Sequence, residues 1–187
     1  LMLGVASLNV ISSFSSGFSN SIQHKLASLD GHLRITKYQS DSGEMLSGDE
    51  IESIQAELGS VKNLLTLVPY IEKKAIIRSG RNSEGVIVYG VPEKSLIEIF
   101  NLDDLIIDGN LMDFNKGMIV GTGLAKSLES EVDKSVFLFD IQRYINEGIT
   151  KGEKLHVSGV FKSGFSEYDK LLVFLSLEKA RSFFEVQ

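Results

Sequence analysis

The stretch Tyr70-Ile71-Glu72-Lys73-Lys74-Ala75-Ile76-Ile77-Arg78, followed after Ser-Gly-Arg-Asn-Ser-Glu-Gly by Val86-Ile87-Val88-Tyr89-Gly90-Val91-Pro92, decides the fold. Both runs are rich in β-branched and aromatic residues, and the polar, glycine-bearing link between them predicts a hairpin with a roomy turn. Upstream, Ser47 and Glu50 have the spacing of a capping box, so a helix is expected to begin there. Ile51, Ile54 and Leu58 fit one face of it, Gly59 interrupts, and Val61, Leu64, Leu65 and Val68 continue the pattern until Pro69 stops it. Residues 39–48 are a polar loop, and His32 to Tyr38 alternates Leu33 and Ile35 with Arg34 and Thr36, which predicts a strand. Before that, Val10, Phe14, Phe18, Ile22, Leu26 and Leu29 recur every three or four residues, the stripe of an amphipathic helix ended by Asp30-Gly31.

Downstream of Pro92 the character changes. Residues 93–117 hold Asp-rich and Gly-rich turns without sustained periodicity and read as a connector. Met118 to Val120 is a short strand, Gly121 to Leu128 opens a helix, and Val136 to Ile141 is an apolar strand run. A polar stretch from Gln142 to Glu153 leads to a strand over Lys154–Lys162, a turn at 163–166, a strand over Lys170–Leu175 and a closing helix from Ser176. The expected fold class is therefore α+β, with an α/β lobe over residues 1–92 followed by a mainly β lobe over 93–187.

Composition narrows the chemistry. The 187 residues are 43% hydrophobic and 24% charged with no cysteine, which excludes thiol catalysis, iron–sulfur clusters and Cys-ligated zinc. A net charge of −6 with interspersed signs argues against a nucleic-acid footprint. His24, His32 and His156 have no second ligand at metal-binding spacing. Gly121-Thr122-Gly123 superficially resembles a phosphate loop, but Lys126 stands where a dinucleotide fingerprint needs a small residue and no Gly-Lys-Ser/Thr follows. A tight strand-to-helix turn is the better reading. No nucleophile elbow occurs, and Asp103-Asp104 and Glu129/Glu131 lie in polar, turn-like contexts. Neither a catalytic constellation nor a cofactor is expected. The first charge in the chain is Lys25, and residues 1–11 are too few to cross a bilayer alone; they read as a core helix or as the outer end of a membrane helix.

Several stretches in order resemble the extracytoplasmic domain of LolC/LolE-type lipoprotein-releasing ABC transporter permeases, relatives of the MacB and FtsX permeases. They are Ser16-Gly17-Phe18 with Gly31-His32-Leu33-Arg34-Ile35, Gly85 to Pro92, Ile119 to Leu128 with Asp133, Leu155 to Phe161, and Gly164 to Asp169 with Leu172-Val173-Phe174 and Leu177 to Ala180. The resemblance implies a MacB-like periplasmic core: a stalk helix and a Porter-like α/β lobe over 1–92, lacking the second Porter segment, and a Sabre-like lobe over 93–187. A half Porter implies an unpaired sheet edge. It also implies a permease subunit anchored in the bacterial inner membrane and facing the periplasm, with no enzymatic role of its own. Its partners would be a cytoplasmic ABC ATPase, a second permease subunit, and a lipoprotein or periplasmic chaperone. The stretch 142–153 occupies the place of the hook that binds the chaperone in LolC-like subunits, which makes Arg143, Tyr144, Ile145 and Ile149 the candidate contact residues. Two other roles within the superfamily are a MacB-like efflux permease domain and an FtsX-like regulator of a cell-wall hydrolase.

Overall fold

The computed structural model describes residues 11–13, 33–37, 45–148 and 152–186. Residues 11–13 are helical, while the rest of the Val10–Leu29 stripe, His24, His32 and the interruption at Asp30-Gly31 lie outside the described residues. The capping box forms: the Ser47 hydroxyl accepts from the Glu50 amide and the Glu50 carboxylate accepts from the Ser47 amide at 2.8 Å. It starts helix α1 (Gly48–Leu58). The expected continuation to Val68 does not form. Helix α1 ends at Gly59, Asn63 turns to φ 73, and Leu64 and Leu65 are exposed, so no buried face rewards another two turns. Residues 33–37, expected as strand, carry no regular secondary structure.

The hairpin is present and tighter than expected. Strands β1 (Ile71–Ser79) and β2 (Asn82–Val91) pair antiparallel through to Ser79↔Asn82, leaving only Gly80 and Arg81 between them. Gly80 takes φ 57 and Arg81 does not, the pattern of a primed turn with Gly at its first central position. After Pro92 the supposed connector folds into α2 (Glu93–Glu98), α3 (Leu102–Leu105), strand β3 (Ile106–Gly109) and a 3-10 turn over Leu111–Asp113. Then follow β4 (Met118–Gly121), α4 (Thr122–Ser127), β5 (Ser135–Asp140), α5 (Ile141–Glu147), β6 (Gly152–Phe161), α6 (Ser166–Leu171), β7 (Leu172–Ser176) and α7 (Leu177–Phe184).

Among the described residues, the seven strands lie in one mixed sheet, in the order β3-β6-β4-β7-β2-β1-β5. Because β6 is ten residues long, its first half pairs with β5 and its second half with β4 and β3, so the circuit β6–β4–β7–β2–β1–β5 closes. The sheet runs across residue 92, since β2 is flanked by β1 on one side and by β7, in parallel, on the other. Among the described residues of the first lobe the expected free edge is not seen, because β1 is likewise flanked by both β2 and β5.

Alternation along the strands separates two cores. Inside the circuit, Ala75, Ile77, Val86, Val88, Val120, Leu138, Val173 and Leu175 meet Leu124 of α4 and Ala180, Phe183 and Phe184 of α7. The approach of α7 is so close that a Cβ on Gly90 would fall 2.2 Å from that of Ala180. Outside the circuit, Tyr89, Val91, Ile119, Phe161 and Phe174 are covered by Leu96 and Phe100 of α2 and its exit, Leu102 of α3, and Phe114.

Candidate functional site

The Gly121-Thr122-Gly123 turn is filled by protein. A Cβ on Gly121 would lie 2.2 Å from the Asp169 carbonyl oxygen, and one on Gly123 2.7 Å from Lys170 Cγ, because α6 packs directly onto the start of α4. The glycines serve this close approach. Asp169 itself is buried, and its carboxylate accepts from both the Ser163 amide and the Ser163 hydroxyl at 2.7 Å. The Ser163 hydroxyl in turn accepts from the Phe165 amide, so Ser163 to Asp169 is one hydrogen-bonded corner ahead of β7. Sequence reasoning gave Asp169 no part in this corner; a serine and an aspartate six residues apart is too common a pattern to reveal it.

The stretch 142–153, expected as a polar, hook-like loop, is helical over 142–147 and joins β6 at Gly152. Asp140 accepts from the amides of Gln142 and Arg143 and starts α5, and Gly148 closes it in the left-handed conformation at φ 68. The apolar-strand reading of 136–141 therefore ends one residue early, at a cap. Arg143 is ion-paired with Glu185 just beyond α7, which ties α5 to the C-terminal helix. Tyr144 and Ile145 stand out into solvent at 57% and 72% exposure. Ile149 lies outside the described residues. Of the four candidates, then, two are exposed apolar side chains and one is an anchor.

A second apolar surface lies on the outward face of β1, β5 and the first half of β6. Register places Gly85, Ile76, Phe139 and Gly152 in one cross-strand row and Ser83, Arg78, Phe137 and Lys154 in the next. The Phe137 and Phe139 rings stack at 6.5 Å, and Phe139 lies flat over Gly152, where a Cβ would meet the ring at 2.4 Å. Phe137 and Ile76 remain exposed.

The third cluster was not foreseen. Arg34 Nη1 donates to Glu72 Oε2 at 2.8 Å and Nη2 donates to the Tyr89 hydroxyl at 2.7 Å. Its guanidinium carbon sits 5.8 Å from the centre of the Tyr70 ring and 5.9 Å from that of Tyr89. Burial opposes the charge on Arg34, but the Tyr89 hydrogen bond and the fields of Tyr89, Tyr70 and Glu72 outweigh it and raise its pKa. Burial, helped by the Glu72 charge, pushes the Tyr89 phenol up to about 12, against the pull of Arg34. The available signal was the outward register of Glu72 and Tyr89, invisible until the hairpin pairing is known. Among the described residues no group of three His, Asp or Glu side chains is placed to hold a metal ion, and no helix is long and apolar enough to cross a membrane.

A match to the family described as the MacB-like periplasmic core domain runs over residues 1–187. The chain belongs to that family. Two solved structures share the fold of this MacB-like core domain. One is the extracellular domain of the noncanonic ABC-type transporter YknZ from Gram-positive bacteria, 16% identical at a TM-score of 0.51, covering 75% of this chain and 67% of that one. The other is the periplasmic region of MacB from Actinobacillus actinomycetemcomitans, 14% identical at a TM-score of 0.50, covering 83% of this chain. The MacB-like core domain spans 62% of that MacB region. No curated protein sequence matches it.

Proposed function

We propose that this MacB-like core domain is the extracytoplasmic part of an ABC transporter permease. It relays the movement of membrane helices to partners outside the inner membrane, while a separate cytoplasmic ATPase hydrolyses ATP and a second permease subunit completes the transporter. The observation that carries this reading is the family match over all 187 residues. Within that role we take the transported activity to be lipoprotein release from the inner membrane. The ordered stretches that resemble LolC/LolE permeases support it, and the last of them, Gly164 to Asp169, forms the buried corner that seats β7. Tyr144 and Ile145, presented on α5 and anchored through Arg143, supply an apolar contact for a lipoprotein or its periplasmic chaperone.

The test is reconstitution of the full permease with its ATPase in proteoliposomes carrying a labelled lipoprotein. ATP-dependent release is expected, and the double change Tyr144→Asp/Ile145→Asp is expected to cut release at least tenfold while ATP hydrolysis continues. Failure of the permease to co-purify with any ATPase overturns the transporter reading. ATP turnover with no lipoprotein release, but with export of a soluble substrate, replaces lipoprotein release by MacB-like efflux.

A further inference from the structure

Residues 33–37 have no regular secondary structure, and Leu33 is 92% and Ile35 43% exposed, so the segment buries little apolar surface. Polar contacts hold it: Lys37 is ion-paired with Glu50 at 3.5 Å, and Arg34 reaches onto the sheet. The walls that receive the guanidinium belong to the folded sheet and stand without the segment: Glu72 on β1 lies opposite Tyr89 on β2, and Tyr70 immediately precedes β1. The Tyr70 and Tyr89 rings are 5.9 Å apart, and Tyr89 is held from behind by Phe174 at 6.0 Å and Phe100 at 6.2 Å. A carboxylate, a phenol oxygen and two ring faces thus converge on one planar cation. That set suits a guanidinium better than an ammonium, because the fork reaches two acceptors at once while its weakly hydrated faces lie on the rings. The Arg34 and Glu72 side chains keep 35% and 36% exposure, so the ion pair is screened and reversible.

We infer that Tyr70, Glu72 and Tyr89 form a guanidinium-binding site, filled in cis by Arg34 in this structure and open to an arginine side chain of a partner protein when residues 33–37 withdraw. The receptor is preorganised on the hairpin and its covered core, whereas the ligand arrives on a segment with no ladder of its own, so exchange leaves the sheet intact.

The probe is N-acetyl-arginine amide, titrated by NMR against the full chain and its variants. Arg34→Ala is expected to bind it with a dissociation constant on the order of a few millimolar. Binding should be at least fivefold tighter than to the unaltered chain, with shifts centred on Tyr70, Glu72 and Tyr89. N-acetyl-lysine amide should bind at least fivefold more weakly, and adding Glu72→Gln or Tyr89→Leu to Arg34→Ala should abolish the preference. In the unaltered chain, saturating probe should speed amide hydrogen exchange in residues 33–37 and leave β1 and β2 unchanged. Equal binding by Arg34→Ala and the unaltered chain, or equal binding of the lysine probe, overturns the inference. So does a preference that survives both box substitutions. If Arg34→Ala disturbs β1–β2 exchange, Arg34→Gln replaces it, and displacement of residues 33–37 in the unaltered chain decides the matter.

Discussion

The outward face of the sheet is treated in two opposite ways. Over β2, β7, β4 and the end of β6, the α2–α3 segment covers Tyr89, Phe161 and Phe174, and Phe174 touches Phe100 and Phe161 edge-on at 5.1 and 5.5 Å. Over β1, β5 and the start of β6, the same face carries Ile76, Phe137 and Phe139 among Lys74, Arg78 and Lys154 with solvent in front of Phe137 and Ile76. Similar side chains therefore do different work: aromatic rings under a cover stabilise the fold, and the same rings left bare remain available to a partner.

The largest expected contrast is between rings. Phe174→Ala should cost about 3–5 kcal/mol by urea unfolding, because it opens a cavity under α2. Phe137→Ala should cost less than about 1 kcal/mol. Equal losses would mean that the bare face is covered in solution and would break the comparison. Next in size come the glycines. Gly121→Ala pushes against the Asp169 backbone and should cost about 1–3 kcal/mol, whereas Gly85→Ala, with no atom within 4 Å, should stay within about 0.5 kcal/mol. Of similar size, Asp169→Ala leaves the Ser163 amide without its acceptor and should lower stability by about 1–3 kcal/mol, and Asp169→Asn, which keeps one carbonyl acceptor, should lower it less. The smallest effect is electrostatic and lies off the sheet. The Ser47 amide and hydroxyl, with Lys37 nearby, hold the exposed Glu50 carboxyl below the ordinary carboxylate range. Its contribution to α1 is therefore full above the unfolded carboxyl pKa and fades as pH falls through the lower folded value. Amide exchange in α1 should rise in acid before that of β1 or β2 does.

Much of this was legible in residue order. The hairpin, β4 with its glycine turn into α4, β5, β6 and the helix from Ser176 follow from alternation, caps and glycine placement, because each is decided locally. Three features were not. The pattern of Ile51 to Val68 reads as one helix, but a periodic stripe has no force where no partner surface exists to bury Leu64 and Leu65. β3 and α6 are too short for periodicity to register, and each is held by long-range contacts with β6 and α4. The stretch after Asp140 reads as a loop because Gln, Arg, Asn and Glu dominate it, while the cap that starts a helix there is a single side chain. Of the candidate contacts, exposure of Tyr144 and Ile145 follows from their polar neighbours; the Arg143–Glu185 pair and the Arg34 box join residues far apart in sequence and become visible only once the sheet has closed.

Among the strands of this sheet β7 is made last, and it occupies a central slot, between β2 and β4, which do not pair with each other. A nascent chain that has reached only Phe165 holds β1–β2 and β4 as separate banks bridged through β5 and β6, with a strand-wide gap between them. Folding of this domain during synthesis therefore cannot proceed from the N-terminus inward. It waits for Leu172–Ser176, whose partners on β2 were made about eighty-five residues earlier. Until then the open gap is the point at which holdase chaperones or proteases compete for the chain.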